Sequence, residues 1–358
     1  MTVWFSIFKF LKVILMDHVI DKLPQQLLKD LIDETDEFAV ENVRLGRGGP
    51  FGASIHVYDL SSGSVTAIGK TEANAVLEKG MGSAHAEDQA LNPEAIAELQ
   101  EFLSNLSDDV APVVIMSSSG ESCPACHSKE EILNRTLIKD GLISPDHFVV
   151  TYGATYQDTA DIAGFNDEPY HKDMQKPKGE GVISIDDLDI MDVPQDVREI
   201  FEKSDRPVSV IALDDGRYIS AHEQRDVDLM ATSEVSAIRA AAGLQKSEGL
   251  EEPWNLQEAT IYTSTSDVGP LGYAECQWAN VTRWVAVEHD RAAEWATQEA
   301  PDITNDDFFN VISASSYNGA GATINVHRIE PFENRAQYEW KNKEDRISYN
   351  GIDIDCSP

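Results

Sequence analysis

Cysteine is scarce in this chain. Only Cys123, Cys126, Cys276 and Cys356 occur in 358 residues, which excludes a disulfide-stapled scaffold and fits a reducing, cytoplasmic location. Basic residues are scarce too: 28 Lys and Arg stand against 63 Asp and Glu, a formal charge of −35. A field of that sign repels phosphate backbones and opposes the counterion release on which nucleic-acid binding depends. No nucleic-acid partner is therefore expected, and a small neutral substrate is preferred; an acidic surface is equally what adaptation to a salty habitat produces. Long apolar runs are lacking as well, so stable membrane insertion is not expected. The segment from Met1 to Met16 is apolar but carries Lys9 and Lys12, and no small-residue cleavage site follows it. It reads as a surface-docked amphipathic helix, or as an extension ahead of a true start at Met16.

What is present is a folded composition, 42% hydrophobic and 8% aromatic, in a chain long enough for two domains. Its most informative stretch runs from His85 to Cys126. His85-Ala86-Glu87 is followed, after the strand-like Val113-Val114-Ile115-Met116, by Cys123-Pro124-Ala125-Cys126. One His and two Cys can supply three ligands to a zinc ion and leave the fourth position for water, the open coordination of a catalytic site. Glu87 is then the candidate acid/base. Two other readings use the same residues: a thioredoxin-like redox pair, or two buried cysteines with an unrelated His. A redox pair has no need of the H-x-E. His127, beside Cys126, reads as a neighbour of the site or a solvent residue, because a fourth protein ligand would close the site to water.

Taken in order, residues 25–43 carry apolar positions at helical spacing, and Gly46-Arg47-Gly48-Gly49-Pro50 breaks that helix. A hairpin follows, with strands at 51–58 and 65–68 about the turn Ser62-Gly63. A helix over 85–91 puts His85 and Glu87 in its first turn, where free amides favour a carboxylate. Asn92-Pro93 restarts a helix to about Leu106. A strand at 113–116, a helix opened by Cys126 and running to about Ile138, and a strand at 148–152 complete an alternation that gives an α/β/α sandwich, helices on both faces of one sheet. Residues 176–205 read as a linker ending in a short helix.

The pattern then repeats. Val208 to Leu213 and Tyr218 to Ser220 form a hairpin about Asp214-Asp215-Gly216, Thr232-Ser233-Glu234 stands where His85-Ala86-Glu87 stood, and Gly269-Pro270-Leu271-Gly272 replaces Cys123-Pro124-Ala125-Cys126. The second copy keeps the glutamate and has lost all three ligands, so it should bind no zinc. The division expected is an extension at 1–22, a zinc domain at 23–190 and a degenerate copy at 191–358.

These residues resemble the cytidine deaminase superfamily, and within it bacterial guanine deaminases. The likeness rests on Gly48-Gly49-Pro50-Phe51-Gly52-Ala53, on Asn74, on the H-A-E with its Cys loop, and on Ala163-Gly164-Phe165-Asn166-Asp167, over about residues 20–185. Ser122 stands where the family has Pro, and Asn166 where it has Asp. The resemblance implies a three-layer cytidine-deaminase-like sandwich, here as two tandem copies forming a pseudo-dimer within one chain or, alternatively, in a homodimer. It implies Zn2+ on His85, Cys123 and Cys126, with Glu87 as proton shuttle. Asn74 and Phe51 would hold and stack on the base, and Asp167 would meet the purine edge and assist proton transfer. Trp340-Lys341-Asn342 and Tyr349 are similar to the family's covering tail. The reaction implied is guanine to xanthine plus ammonia; cytosine, a nucleoside, a pterin or a secondary metabolite is the alternative substrate, and a zinc-stabilised binding scaffold the non-enzymatic one. From the residues alone, Phe51 is equally a core residue, Asn74 a turn residue, Asp167 a helix cap and Tyr349 a surface aromatic.

Overall fold

The computed structural model describes residues 18–107, 110–163, 178–184, 194–256, 258–264, 270–281, 283–288 and 324–342. Residues 1–16, Asp167, Gly269 and Tyr349 therefore lie outside the described residues.

The chain builds two five-stranded sheets of the same order. In the first, β1 (Gly52–Asp59) pairs antiparallel with β2 (Val65–Ala73) and with β3 (Pro112–Gly120), and β3 pairs parallel with β4 (Phe148–Ala154). In the second, β6 (Val208–Ala212) pairs antiparallel with β7 (Tyr218–His222) and β8 (Thr260–Thr263), and β8 parallel with β9 (Arg283–Glu288). The outermost strands cross over. β5 (Lys178–Ser184) pairs parallel with β9, and β10 (Asn325–Arg328) pairs parallel with β4, giving the orders β10-β4-β3-β1-β2 and β5-β9-β8-β6-β7. This corrects the linker expected at 176–205: Gly179 and Gly181 sit inside a strand, because its partner is supplied from a distant part of the chain, which no local pattern encodes.

Alternation along the central strands makes the layers. Val113 and Ile115 of β3 and Val149 of β4 pack against Leu28, Leu31 and Ile32 of α1 (Gln25–Leu45). Val114, Met116, Phe148 and Val150 face the other way. They meet Ala86 and Ala90 of α3 (Ala86–Ala90), Ile96 and Leu99 of α4 (Pro93–Ser104), and Leu133 and Leu137 of α5 (Pro124–Lys139), the short helix α2 (Val76–Lys79) lying beside the site described below. Each Val, Leu, Ile, Met or Phe among them, fully buried, contributes roughly 1.5–3 kcal/mol. After β4 comes α6 (Tyr156–Ala163). The second sheet is covered likewise, by α7 (Gln195–Lys203) through Val197 and Phe201 on one face, and by α8 (Ser233–Ser247) and α9 (Pro270–Trp278) on the other. The expected α/β/α architecture is thus present around both sheets. Met230, Val235, Leu271 and Ile324 from the later half join the main core of the first, while the second sheet keeps clusters of its own.

Local chemistry sets the element ends. Gly46, at φ 71°, closes α1 with its N–H on the carbonyls of Asn42 and Val43. The Asn92 side chain accepts from the Ala95 N–H ahead of Pro93, as Asn-Pro predicts. One start differs: α5 opens at Pro124 with Cys123 at its cap, two residues before the expected Cys126, because proline is preorganised for the first helical position.

Buried and half-buried polar groups tie the halves together. Lys129 of α5, fully buried, contacts Asp88 at 2.5 Å and Glu275 of α9 at 2.7 Å, while Arg239 of α8 contacts Asp88 at 3.4 Å and Asp228 at 2.7 Å. Near the C-terminal end, α10 (Arg335–Lys341) lies on α1, Arg335 pairing with Asp36 at 2.9 Å and Glu37 at 3.2 Å. No helix among the described residues is long and apolar enough to cross a membrane.

A charge of −35 on one compact body repels itself, and salt screens exposed charges within a few ångströms at molar strength. Thermal unfolding is expected several degrees higher in about 1 M than in about 20 mM potassium chloride. A midpoint that falls with salt would show that attractive ion pairs outweigh the repulsion.

Candidate active site

Cys123 and Cys126 lie 38 and 41 positions from His85, yet the sheet brings them together with it and with Glu87. β3 delivers the chain to Cys123 at the cap of α5, and α3 starts beside it with His85 at its own cap. The Cys123 Sγ lies 3.3 Å from His85 Nδ1, Cys126 Sγ lies 3.5 Å from the same nitrogen, and the two sulfurs are 3.5 Å apart. All three residues are buried, and their ligand atoms lie within 4.8 Å of one another.

Tetrahedral zinc with bonds of about 2.3 Å to sulfur and 2.0–2.1 Å to nitrogen would set such atoms about 3.6–3.8 Å apart. The observed triangle is within a few tenths of an ångström of that, so the donor set fits a zinc ion. Burial pushes both thiols up; at Cys123 the hydrogen bond with Cys126 and the charge of His85 override it and draw the thiol well below its usual range, while Cys126 is held above it. The thiolate is the form that binds a metal, so the downward push at Cys123 favours a dication there.

His85 and its counterpart Thr232 occupy the same cap position in the two halves. The Thr232 hydroxyl accepts from the Val235 N–H, the ordinary use of a cap, whereas the His85 ring makes no cap bond. Its nitrogen turns to the sulfurs instead, forgoing the roughly 0.5–2 kcal/mol a cap supplies. On the other side of the ring stands Trp278 of α9, edge to face at a centroid distance of 4.4 Å. Trp278, Trp254 and Trp340 pack with Cys123 and Cys126 in one buried cluster. The later half of the chain thus walls the site, and Trp340, expected only as part of a covering tail, is buried in that wall.

Glu87 is buried, and its Oε1 accepts from the Ser118 hydroxyl at 2.9 Å. Burial raises its pKa to about 7, with Cys123 adding to the rise and His85 opposing it. The same pair exists in the second half, where Thr263 donates to Glu234 at 2.6 Å. A carboxylate held by a strand hydroxyl is therefore common to both halves, and the group of His85, Cys123 and Cys126 is what sets the first apart.

Asn74 is buried at the end of β2, its Oδ1 accepting from the backbone N–H groups of Gly49 and Val76. The carbonyl end of the amide is thus committed to the backbone, so any contact with a base falls to the Nδ2 end. Phe51 lies between the main core and the Cys123/Cys126 cluster, and both roles considered for it share that position. The Gly48-to-Gly52 block has a steric cause: a Cβ on Gly48 would run into the Asn74 carbonyl, and one on Gly52 into that of Thr35. His127 is buried, not in solvent, with Nδ1 3.2 Å from Glu130. Sequence reasoning missed Ser118, Trp254, Trp278 and Glu130. Of these, only Ser118 had a legible signal, the hydroxyl that both copies place just before the turn from strand to helix.

No family model matches the chain, and no curated protein matches it. Among solved structures, a guanine deaminase from Bacillus subtilis is similar at 29% identity over 38% of this chain and 70% of that one, with a TM-score of 0.27. A variant of the protein NE0047 with 8-azaguanine is similar at 25% identity over 40% and 66%, TM-score 0.27, and NE0047 with 2,6-diaminopurine at 23% over 39% and 62%, TM-score 0.26. These likenesses reach less than half of the chain, and the functional reading rests on the geometry of the site.

Proposed function

We propose that the chain is a zinc-dependent hydrolytic deaminase of a small amino-substituted nucleobase, guanine giving xanthine and ammonia. The observation that carries the reading is the convergence of His85 Nδ1, Cys123 Sγ and Cys126 Sγ within 4.8 Å beside the buried Glu87, in the half that keeps its ligands. His85, Cys123 and Cys126 would hold the metal, which when bound would supply a water activated for attack at neutral pH. Glu87 would take a proton from the attacking water and pass it to a ring nitrogen as the C–O bond forms, then take the proton of the newly added hydroxyl and deliver it to the amine, so that the C–N bond breaks and ammonia leaves. Ser118 keeps that carboxylate in one orientation. Asn74, through Nδ2, and Phe51 position the base, with Asp167 and Tyr349 assigned to its purine edge and cover by the resemblance alone. The tryptophan wall excludes bulk water, which strengthens each of these polar contacts.

The pairing of Glu234 with Thr263 in the ligand-free half favours one other reading, a zinc-stabilised scaffold in which the glutamate only braces the fold. Zinc determination with an ammonia-release assay over guanine, adenine, cytosine, their nucleosides and a pterin separates the two. Zinc near one per chain with release selective for guanine is expected. Release from another heterocycle alone would move the substrate, and zinc without release from any compound would leave the scaffold.

A further inference from the structure

The Cys loop is held at both ends by one carboxylate. Glu130 of α5 is fully buried; its Oε1 accepts from the Ser122 hydroxyl at 2.7 Å, and its Oε2 lies 3.2 Å from His127 Nδ1. Ser122 immediately precedes Cys123 and His127 immediately follows Cys126, so the bracket encloses the C-x-x-C. All three residues are almost entirely removed from solvent, where a hydrogen bond to an ionised group is strong and leaving one unmade is costly.

The second half provides an internal control. Pro270 opens α9 as Pro124 opens α5, and counting from those prolines places Cys276 where Glu130 stands, Tyr273 for His127 and Val268 for Ser122. Cys276 is buried against the apolar cluster of the second sheet, where burial and the nearby Glu234 and Glu275 push its thiol up. The fold therefore tolerates an apolar residue at this position, and the copy without ligands is the copy without the bracket. A buried carboxylate that the fold does not require points to the loop it holds.

We infer that Glu130 is a positioning residue for the metal, fixing the two cysteine sulfurs at binding geometry through Ser122 and His127, and that the Ser122–Glu130 bond does the work that a rigid proline before the first cysteine would do. The inference rests on the proposed zinc site. Groups placed behind metal ligands typically alter affinity 10- to 100-fold when removed.

The test is zinc affinity of the full chain by chelator competition, with the absorption spectrum of the cobalt-substituted protein as a second readout. Glu130→Ala and, more mildly, Ser122→Ala are expected to weaken zinc about 10- to 100-fold and to shift the cobalt bands. Glu130→Gln, which keeps an acceptor for Ser122, should recover most of the affinity. Should Glu130→Ala fold poorly, Ser122→Ala, which removes a single hydroxyl, carries the test. Wild-type affinity and spectrum in Ser122→Ala and in whichever Glu130 variants fold would overturn the inference and leave the zinc site standing; a wild-type chain that binds neither metal would overturn both.

Discussion

Glu87→Gln is expected to lower the rate of ammonia release by about 10²- to 10⁴-fold, the range a positioned general acid/base supplies, with zinc content unchanged. The amide cannot accept and return a proton, yet it has the volume of the carboxylate and still offers an oxygen to Ser118, whose hydroxyl lies 2.9 Å from Glu87. None of the three ligand atoms is touched. Metal retention therefore isolates the chemical step from assembly of the site. The corresponding change Glu234→Gln, in the half without ligands, should leave turnover as it was. Retained activity in Glu87→Gln, or equal losses from the two variants, would show that both glutamates brace the fold and neither moves a proton.

Lys129→Met should have the largest effect on stability of any single change between the halves, a loss of about 3–5 kcal/mol. Lys129 is wholly inside, with Asp88 and Glu275 on either side. Those carboxylates keep it charged against the cost of burial, and removing the cation leaves Glu275 buried without its contacting counter-charge, only the more distant Arg239 still acting on it. Asp88 retains Arg239. Lys129→Met combined with Glu275→Leu is expected to recover most of the loss, since an apolar pair of similar size often replaces a buried ion pair without penalty. Denaturant unfolding of the three proteins measures both numbers. A single variant costing less than about 1 kcal/mol would place the pair in the class of weak, solvated bridges.

That pair also bears on how the halves meet. Lys129 and Glu275 stand five residues after Pro124 and Pro270, at the same place in the two repeats. In a symmetric dimer, equivalent positions near the axis face each other. Pairing a half with its own kind would set lysine against lysine or glutamate against glutamate in a dry contact; the contact within this chain joins opposite charges at 2.7 Å.

The linear order of residues determined a good deal. Continuous apolar runs such as Val113 to Met116 encode strands buried on both faces, because successive side chains point to opposite sides and each side must find its own apolar layer. Asn92-Pro93 and Gly46 mark helix ends by the hydrogen-bonding chemistry of their own backbones. The donor set His85, Cys123 and Cys126, and its loss at Thr232, Gly269 and Gly272, was legible because ligand chemistry belongs to residue types at short spacing. What only the tertiary structure decided are the contacts between distant segments. β5 and β10 exchange sheets because a strand's partner is chosen by edge complementarity, which leaves no mark on the strand itself. Trp278 lies against the His85 ring from nearly two hundred residues away, and Ser118 meets Glu87 only once β3 and α3 have packed. Glu130 looks in sequence like any acid on an exposed helix face; burial between Ser122 and His127 gives it a different task.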